Sequence, residues 1–322
     1  MATSVEKETR DPGPDLPQVE MHLHNPKAPG LATVVRNEVC TSRKAAGFVR
    51  HIELDVSGTE LAGRFRAGQS FGVLPPGEDA RGRPHQLRLY SIASPTGGED
   101  GEGKILATTV KRTIDEHWDT HELFLGVCSN YLCDLKPGDE VRVTGPNGKR
   151  FLLPERPEEH DYVFIATGTG IAPFRGMVRE LLARDIDSRI VLVMGSPYTS
   201  DLLYHDELRA MAEQHERFTY LTAISRELQE DGGAPRYVDQ RLTDEPGLFR
   251  PLLERDRGLV YLCGIAGMEL GVFRSLKDLL GPSALERYLQ IDPEVEGDPR
   301  SWTRKMVNRQ LKPSRRMFLE VY

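Results

Sequence analysis

Three side chains of different chemistry stand close together in the segment RLYSIASP, residues 88–95. Arg88 is a permanent cation, Tyr90 offers a flat aromatic face, and Ser91 adds a hydroxyl directly after it. A guanidinium fork suits the oxygens of a phosphate group, whereas an aromatic ring covers a flat apolar surface. The segment therefore indicates a site for a ligand with a phosphate and a planar ring, although an ordinary strand with one wet face is the alternative.

A glycine-rich turn follows a second segment, which has the composition of a buried strand. In ATGTGIAPF, residues 166–174, Gly168 and Gly170 precede a stretch with helical periodicity. Glycine lets backbone N–H groups approach an anion closely, and the start of a helix adds partial positive charge. The turn favours a phosphate site. A plain strand-to-helix turn is the alternative, because Pro173 stands where the dinucleotide fingerprint has its third glycine.

Polar residues also end the strand candidate FTYLTAIS. Ser225 and Arg226 would lie at the carboxyl edge of a sheet, where Asp or Glu favours a free ribose 2′-hydroxyl and Arg favours a 2′-phosphate. Arg236 and Tyr237 add a second cation and a phenol. The set favours NADP(H) over NAD(H), and a surface ion pair between Arg226 and Glu227 is the alternative.

Two kinds of hydrophobic period position these residues. From about residue 31 to 155, short strands alternate with turns, as in RHIELDV, where Ile52, Leu54 and Val56 alternate with polar residues. Many short strands with frequent turn signals predict an antiparallel barrel or sandwich.

The pattern changes from about residue 156 to the end. The runs YVFIATGTG, RIVLVMGSP and LVYLCGIAG are apolar without alternation, as in strands covered on both faces. Strands that alternate with helical segments predict a parallel sheet flanked by helices, and the cluster of Pro and acids in LLPERPEEHD indicates the boundary between the two parts.

Composition restricts the class of protein further. A chain of 322 residues with 39% hydrophobic and 28% charged residues predicts a soluble two-domain protein, with a disordered arm over residues 1–30 and no membrane span. Four scattered cysteines provide neither a disulfide framework nor a metal-ligand set, so we expect no metal site and a cytoplasmic location. The net charge of −7 disfavours nucleic acid as a partner.

Seven segments together resemble the plant-type ferredoxin–NADP⁺ reductases, and the resemblance runs from about residue 31 to Tyr322. They occur in family order as GQSFGVLP, RLYSIASP, VCSNYLCDLKPGDEV, GTGIAPFR, SRE, VYLCGIAGM and the terminal EVY. The resemblance implies an antiparallel FAD-binding β-barrel over residues 31–155, followed by an NADP(H)-binding α/β domain over residues 156–322.

The resemblance also implies roles for single residues in FAD binding. Arg88 would bind the pyrophosphate, Tyr90 would stack on the isoalloxazine, and Ser91 would lie close to flavin N5. Ser129 would cap the pyrophosphate beside backbone N–H groups, and Lys111 would reach toward the NADP⁺ phosphates. Further cofactor contacts are expected from Leu89, Val110, Val127, Cys128, Thr169, Gly170 and Gly264.

Four residues are expected to act in catalysis by the same resemblance. Hydride would pass between nicotinamide C4 and flavin N5, with Ser91 and the Cys263 thiol setting the approach of the two rings. Glu320 would stabilise charge on the nicotinamide or relay a proton. Tyr322, the last residue, would cover the flavin face until nicotinamide displaces it. Core packing for Cys263, an outward position for Glu320 and a frayed end at Tyr322 are the alternatives.

Several positions depart from the family pattern. Ala166 replaces the first glycine of the phosphate loop, and Asp115 occupies the position of an adenine-stacking Tyr, for which Trp118 is a nearby substitute. Pro235 stands where the family has a phosphate-binding Lys, and Arg236, one position later, would supply the missing positive charge. The segment from residue 281 to 302 is longer than the plant pattern and suggests no function.

The predicted function is an FAD-dependent exchange of electrons between NADP(H) and a one-electron carrier, ferredoxin or flavodoxin. A basic surface from the C-terminal tail with Lys104, Lys149 and Arg150 would attract an acidic carrier, unless these cations are merely part of a mixed, solvated surface. A reductase component that supplies an oxygenase, or a non-catalytic nucleotide binder, are the competing interpretations. The sequence leaves the oligomeric state open.

Overall fold

A computed structural model describes residues 13–184 and 186–322 of the chain. In the N-terminal half, the short alternating segments form strands, and one helix lies among them. The elements are β1 (Gly30–Val39), β2 (Val49–Asp55), β3 (Ser70–Val73), β4 (Arg88–Ser91), β5 (Ile105–Lys111), β6 (Ile114–Glu116), β7 (Leu123–Leu125), α1 (Val127–Asp134) and β8 (Glu140–Asn147).

Six of these described strands form an antiparallel sheet in the order β4-β3-β8-β1-β2-β5. The sheet curls until its two edge strands meet, because Ile92 forms a bridge with Thr108 and the Ala93 N–H donates to the Ala107 carbonyl at 2.7 Å. The alternating apolar residues, such as Ile52 and Leu54, fill the enclosed core. The predicted antiparallel barrel is confirmed.

The C-terminal half alternates strands and helices in chain order. The elements are β9 (Asp161–Thr167), α2 (Ile171–Leu182), β10 (Ile190–Ser196), α3 (His205–Gln214), β11 (Phe218–Ile224), α4 (Val238–Asp244), α5 (Pro246–Leu253), β12 (Gly258–Gly264), α6 (Met268–Leu279), α7 (Pro282–Glu286), β13 (Leu289–Ile291), β14 (Leu311–Pro313) and β15 (Met317–Val321).

Five strands of this half pair in parallel in the order β11-β10-β9-β12-β15. Apolar clusters cover both faces of the sheet, which explains why its strands lack a polar alternation. Since all five strands run the same way, their carboxyl ends meet at one edge. The predicted α/β fold is confirmed, and Thr167, Ser225, Gly264 and Tyr322 come to that common edge.

Helix α2 joins the two halves. A Cβ at Gly176 would lie only 2.3 Å from the Ser94 carbonyl oxygen of the barrel, so the helix and the barrel loop approach closely there. The adjacent Arg175 side chain is buried and binds Glu99 of the barrel at 2.7 Å and Glu207 of α3 at 2.9 Å. The carboxyl edge of the parallel sheet therefore faces the barrel.

The predicted disordered arm over residues 1–30 is wrong for residues 13–30. The His22 and His24 N–H groups donate to the carbonyls of Pro146 and Gly145, and the Asp15 carbonyl accepts from the Glu155 N–H at 3.0 Å. Polar composition suggested disorder, but these backbone bonds tie the segment to the barrel and to the boundary region. Residues 1–12 lie outside the described part of the chain.

The long segment between α6 and β15 packs as a cap on α6. Trp302 is buried, and its indole N–H donates to the Val295 carbonyl at 2.8 Å. The Arg274 side chain on α6 donates to the Pro299 carbonyl, also at 2.8 Å. These contacts give residues 281–302 a structural role.

Candidate functional site

A cleft of about 530 Å³ lies between the barrel and the carboxyl edge of the parallel sheet. We call it the interdomain cleft. It is defined by lining residues from both halves of the chain: Ser70, Leu89, Tyr90, Ser91, Thr109, Lys111, Thr113, Ser129, Thr169, Ala172, Glu320, Val321 and Tyr322. Residues predicted from segments far apart in the sequence therefore meet at one site.

Strand β4 presents the RLYS residues at the barrel wall of the cleft. Leu89 is 57% exposed, and Tyr90 is half-buried beside Cys128. Arg88 lies exposed at the start of the strand, where its guanidinium donates to the Gln86 side chain at 3.1 Å. The Ser91 carbonyl accepts from the Thr108 hydroxyl at 2.9 Å, which fixes the backbone that carries the Ser91 hydroxyl.

The start of helix α1 forms one end of the cleft. Gly126 precedes the helix without a side-chain cap, so the first-turn N–H groups at Val127 and Cys128 are available to an acceptor from outside the helix. The Ser129 hydroxyl accepts from the Thr113 N–H at 3.2 Å and donates to the Gly126 carbonyl at 3.2 Å. This arrangement of N–H groups and a hydroxyl suits an anionic group.

Strand β5 shows which predicted contacts are made by side chains and which are not. Val110 is buried in the barrel core, and Cys128 of α1 packs in the same core, so neither side chain lines the cleft. Lys111 and Thr109, two residues apart, both line the cleft. The sequence interpretation missed Thr109, Ser70, Thr113, Ala172 and Val321, and the period of two counted back from Lys111 would have found Thr109.

The last strand brings the catalytic candidates together. Cys263 of β12 and Glu320 of β15 are register partners, and Cys263 is fully buried. Glu320 is half-buried at the cleft, and burial raises its pKa to about 7. Burial, with the nearby Glu320 charge as a smaller cause, raises the pKa of the Cys263 thiol, which keeps the thiol protonated at neutral pH.

Tyr322 follows Glu320 and is held at the cleft although it ends the chain. Its N–H donates to the Gly264 carbonyl at 3.0 Å, its own carbonyl accepts from the Ala266 N–H, and its phenol hydrogen-bonds the Thr169 hydroxyl at 2.8 Å. The side chain remains 64% exposed. The frayed end considered from the sequence is therefore wrong, and Tyr322 is an anchored aromatic with one open face.

The glycine-rich turn is shaped by close backbone approaches. Residues Gly168–Gly170 form a 3₁₀ turn that continues into α2, and Gly168 has a left-handed φ of 55°. A Cβ at Gly170 would lie 2.1 Å from the Cys263 carbonyl oxygen, and one at Gly264 would lie 2.1 Å from the Thr167 hydroxyl. Helix α2 has no side-chain cap, and the Ile171 N–H at its start already bonds the carbonyls of the preceding turn. Ala166 lies buried within β9, before the turn.

The Ser225–Arg226 pair follows β11 at the same edge of the sheet. Ser225 is half-buried, and Arg226 is exposed without a side-chain hydrogen bond or ion pair to any described residue. Glu227, the alternative partner of Arg226, instead accepts from the Thr199 backbone N–H. Arg236 lies close by, because its N–H donates to the Ile224 carbonyl.

Arg236 and Tyr237 differ in their availability to a ligand. The Arg236 guanidinium already binds Asp244 at 3.0 Å, whereas Tyr237 is an exposed residue at the start of α4. Arg226 is therefore the freer of the two predicted phosphate-binding cations at this edge.

The donor set of the cleft fits an FAD-type group. The exposed Leu89 and Tyr322, with the half-buried Tyr90, offer apolar and aromatic surface suited to a flat ring. The uncapped α1 start with Ser129 offers donors suited to a pyrophosphate. Lys111 adds a cation without an ion pair among the described residues. Trp118, considered as the adenine platform, lies 94% exposed between β6 and β7 and contributes nothing to the cleft lining.

A two-domain oxidoreductase that uses a flavin and a pyridine nucleotide is the class of protein that this fold and site define. Residues 164–273 match the protein family described as an oxidoreductase NAD-binding domain. The chain is 40% identical over 262 residues to a ferredoxin–NADP reductase of Thermosynechococcus vestitus, covering 79% of this chain and 67% of that one. It is 36% identical to the enzyme of Spirulina, covering 82% of this chain and 90% of that one. The chain therefore belongs to the ferredoxin–NADP reductase family.

A plant relative agrees with this placement, and a solved structure shares the fold. The chloroplastic leaf isozyme 1 of Arabidopsis thaliana is 38% identical, with 79% of this chain and 71% of that protein covered. The solved ferredoxin–NADP⁺ reductase of Plasmodium falciparum shares the fold, with a TM-score of 0.67 at 23% identity over 83% of this chain and 97% of that one. Within the described residues, no helix is long and apolar enough to cross a membrane.

Proposed function

We propose that the protein is an FAD-dependent reductase that exchanges electrons between NADP(H) and the one-electron carrier ferredoxin or flavodoxin. The observation that carries the proposal is the interdomain cleft, where β4 of the barrel and β15 of the parallel sheet place an aromatic ring, a hydroxyl, a carboxyl and a second aromatic ring around one space. A barrel that binds the flavin and a sheet that binds the nucleotide are needed on opposite sides of such a space.

Bound FAD supplies the chemistry, because flavin exchanges two electrons with nicotinamide and single electrons with iron–sulfur carriers. The chain's own residues would orient the flavin and the nicotinamide. Tyr90 and Tyr322 lie on the two sides of the cleft, where they would cover the apolar ring surface of a bound flavin. Ser91 offers a hydroxyl without a side-chain hydrogen bond among the described residues, so it is free to bond a ligand atom.

Glu320 and Cys263 form the acid–base part of the proposal. With a pKa of about 7, Glu320 holds or releases a proton at neutral pH, which suits a group that acts as both acid and base. Cys263 is neutral and fully buried in register beside Glu320, and it is not among the residues that line the cleft, so its assigned part is to support Glu320 and the strand end that faces the nicotinamide. Ser91, Cys263, Glu320 and Tyr322 are thus our catalytic assignments.

A basic hollow of about 810 Å³ borders the cleft and supports the proposed carrier. Lys149, Arg150 and Arg315 line it, and Glu320 lines both the hollow and the cleft. Lys104, expected from the sequence to belong to this surface, instead binds Glu102 at 2.5 Å. An acidic carrier that docks at Lys149, Arg150 and Arg315 would approach the cleft from this side.

The domain limits and location complete the proposal. We assign residues 31–155 to FAD binding and residues 156–322 to NADP(H) binding. Residues 13–28 contact both of these parts. We also propose a cytoplasmic location, which is supported by four free cysteines, of which Cys128, Cys133 and Cys263 are buried.

The test is NADPH-driven reduction of cytochrome c by the purified protein, with ferredoxin and flavodoxin added in turn. We expect reduction that depends on added carrier and slows as ionic strength rises, because salt screens the basic hollow. The matched variant Lys149→Glu should lower the carrier-dependent rate without lowering carrier-free ferricyanide reduction. A rate that no carrier stimulates would overturn the assignment of the partner.

A further inference from the structure

A chain of hydrogen bonds leaves the interdomain cleft at Thr109 and crosses the boundary between the two halves of the protein. The Thr109 hydroxyl lies 2.6 Å from the Tyr204 hydroxyl, which lies 2.9 Å from His51 Nδ1. His51 Nε2 lies 3.1 Å from the Glu53 carboxylate. Thr109, His51 and Glu53 belong to the barrel, whereas Tyr204 precedes α3 of the parallel-sheet half.

The chemistry of the four groups fixes the direction of each hydrogen bond. An ionised carboxylate only accepts, so His51 Nε2 donates to Glu53, and a neutral imidazole then accepts at Nδ1. The Tyr204 hydroxyl must therefore donate its single hydrogen bond to His51 Nδ1, and the Thr109 hydroxyl must donate to the Tyr204 oxygen. All donors point from the cleft toward Glu53, and the Thr109 oxygen keeps lone pairs for a proton donor in the cleft.

The surroundings keep His51 neutral, as this direction requires. Burial is the main cause that lowers the pKa of His51, and the Arg175 charge adds to it, while Glu99 and Glu53 act in the opposite sense. Arg175 also stands over the Tyr204 ring at 5.1 Å, with Glu207 as its other ion-pair partner. Glu38 of the barrel also interacts with His51, and the Cys40 thiol, which burial keeps protonated, lies beside the Tyr204 phenol.

Two further features distinguish this series of hydrogen bonds from ordinary packing between the two halves of the protein. Tyr204 has a left-handed φ of 54°, an uncommon conformation for a residue with a side chain, and it directs the phenol between Thr109 and His51. The far end reaches water, since His51 and Tyr204 line a separate hollow of about 770 Å³ and Glu53 pairs with Arg36 at 3.3 Å near the surface.

We propose that Thr109, Tyr204, His51 and Glu53 form a proton relay between the interdomain cleft and the region of the separate hollow that His51 and Tyr204 line. The inference rests on the proposed function, in which oxidation of NADPH by two one-electron carriers yields NADP⁺ and one proton. That proton binds the Thr109 oxygen as the Thr109 proton passes to Tyr204. The Tyr204 proton passes to His51 Nδ1, and the His51 Nε2 proton passes to the Glu53 carboxylate. One proton enters the relay at Thr109 and one arrives at Glu53, and no electron moves along it. The same transfers in the reverse direction would deliver a proton to the cleft during carrier-driven reduction of NADP⁺.

A metal site is a competing explanation for part of this cluster. Ligand atoms of His51, Glu53 and Glu99 lie within 4.8 Å of one another. Glu99, however, already binds the guanidinium groups of Arg175 and Arg179, and two cations beside it disfavour a third. The relay accounts for the contacts of His51 and Glu53, and the two arginines account for those of Glu99, without an added ion.

The decisive variant is Tyr204→Phe, which removes the central hydroxyl and keeps the ring over Arg175. The chain offers a matched control in Tyr220→Phe, because Tyr220 bonds His205 Nδ1 at 3.2 Å and His205 lies 3.2 Å from Glu230, with no link to the cleft. Proton release is followed with a pH-indicator dye in weak buffer during NADPH oxidation with ferricyanide. We expect Tyr204→Phe to slow proton release on the order of 10²-fold, to lose the solvent isotope effect of the wild type, and to recover speed with added imidazole buffer.

A readout that needs no turnover comes from ¹⁵N NMR of the resting wild-type protein. We expect the neutral Nε2–H tautomer of His51 and its partial loss in Glu53→Gln. The Nδ1–H tautomer in the wild type would overturn the proposal, since the donors would then no longer align. Slow turnover of Tyr204→Phe that ignores buffer would show a structural role only and would likewise overturn it. Failure of NADPH to reduce the wild-type protein would instead refute the proposed function, so the two failures are distinguishable.

Discussion

Arg226 gives the sharpest test of cofactor choice, because its guanidinium makes no hydrogen bond or ion pair with the described residues. Replacing it with Ala therefore removes no internal hydrogen bond or ion pair, and the folded protein should be unaffected. If Arg226 binds the 2′-phosphate of NADP(H), the whole effect of the substitution should appear in the affinity for ligands that carry this phosphate. Ligands without it should bind as before.

The magnitude follows from the exposure of the site. A hydrogen bond between charged groups contributes about 1.5–3 kcal/mol, and solvent exposure favours the lower end of that range. A loss of about 1.5 kcal/mol corresponds to roughly tenfold weaker binding. Arg236→Ala should have a smaller effect, because Asp244 already binds that guanidinium at 3.0 Å and competes with the ligand.

Calorimetric titration with 2′,5′-ADP and with 5′-ADP isolates the phosphate contribution. We expect Arg226→Ala to weaken 2′,5′-ADP roughly tenfold and to change 5′-ADP by less than about twofold. Arg250→Ala is the matched control, since Arg250 lies in α5, which leads to the amino end of β12 and so to the opposite edge of the sheet. Equal weakening of both nucleotides by Arg226→Ala, or of neither, would refute the reasoning.

Three other substitutions test the remaining parts of the site. Tyr322→Ser should strengthen NADP⁺ binding and its charge-transfer absorbance, because the anchored ring no longer competes for the same surface; an unchanged band argues against a gate. Glu320→Gln should flatten the activity profile near pH 7 and should also remove a pH effect on stability. The raised pKa of Glu320 contributes stability below about pH 4.5 that is lost as pH rises through about 7, so the melting temperature of the wild type relative to the variant should fall over that window, and a constant difference would contradict this. Gly170→Ala should destabilise the fold by about 1–3 kcal/mol in urea unfolding, because its Cβ would lie 2.1 Å from the Cys263 carbonyl oxygen, whereas Gly247→Ala, where a Cβ meets nothing within 4 Å, should not.

The fold was largely predictable because its signals are local. Alternating apolar residues in RHIELDV predict a half-buried strand, and β2 occupies Val49–Asp55. The apolar stripe from Phe174 to Leu182 predicts a helix, and α2 buries that stripe. Periodicity responds to burial on one or two faces, so it gives both the barrel and the parallel sheet.

The ends of the parallel strands were predictable for the same reason. Once strand and helix alternate, the rule that parallel strands share a carboxyl edge places Thr169, Ser225 and Gly264 on one side of the sheet. Their proximity to Tyr90 and Tyr322 required the packing of one half on the other, and only the family resemblance supplied it.

Contacts that depend on long sequence separations were missed. Thr109 and Tyr204 are 95 residues apart, and His51 and Tyr204 are 153 residues apart. No local sequence pattern predicts hydrogen bonds across such separations. His51 reads as an outward residue of an alternating strand, yet it is 5% exposed because the other half of the protein covers it. The ordered segment before β1 was missed likewise, since its backbone partners at Gly145 and Pro146 lie far along the chain.

The central claim is that the interdomain cleft binds FAD and admits NADPH, and the visible absorbance spectrum tests it most directly. We expect purified wild-type protein to show flavin absorbance, and anaerobic NADPH to bleach it much faster than equimolar NADH. Protein that stays colourless after incubation with FAD, or a bound flavin whose absorbance NADPH leaves unchanged, would contradict the account.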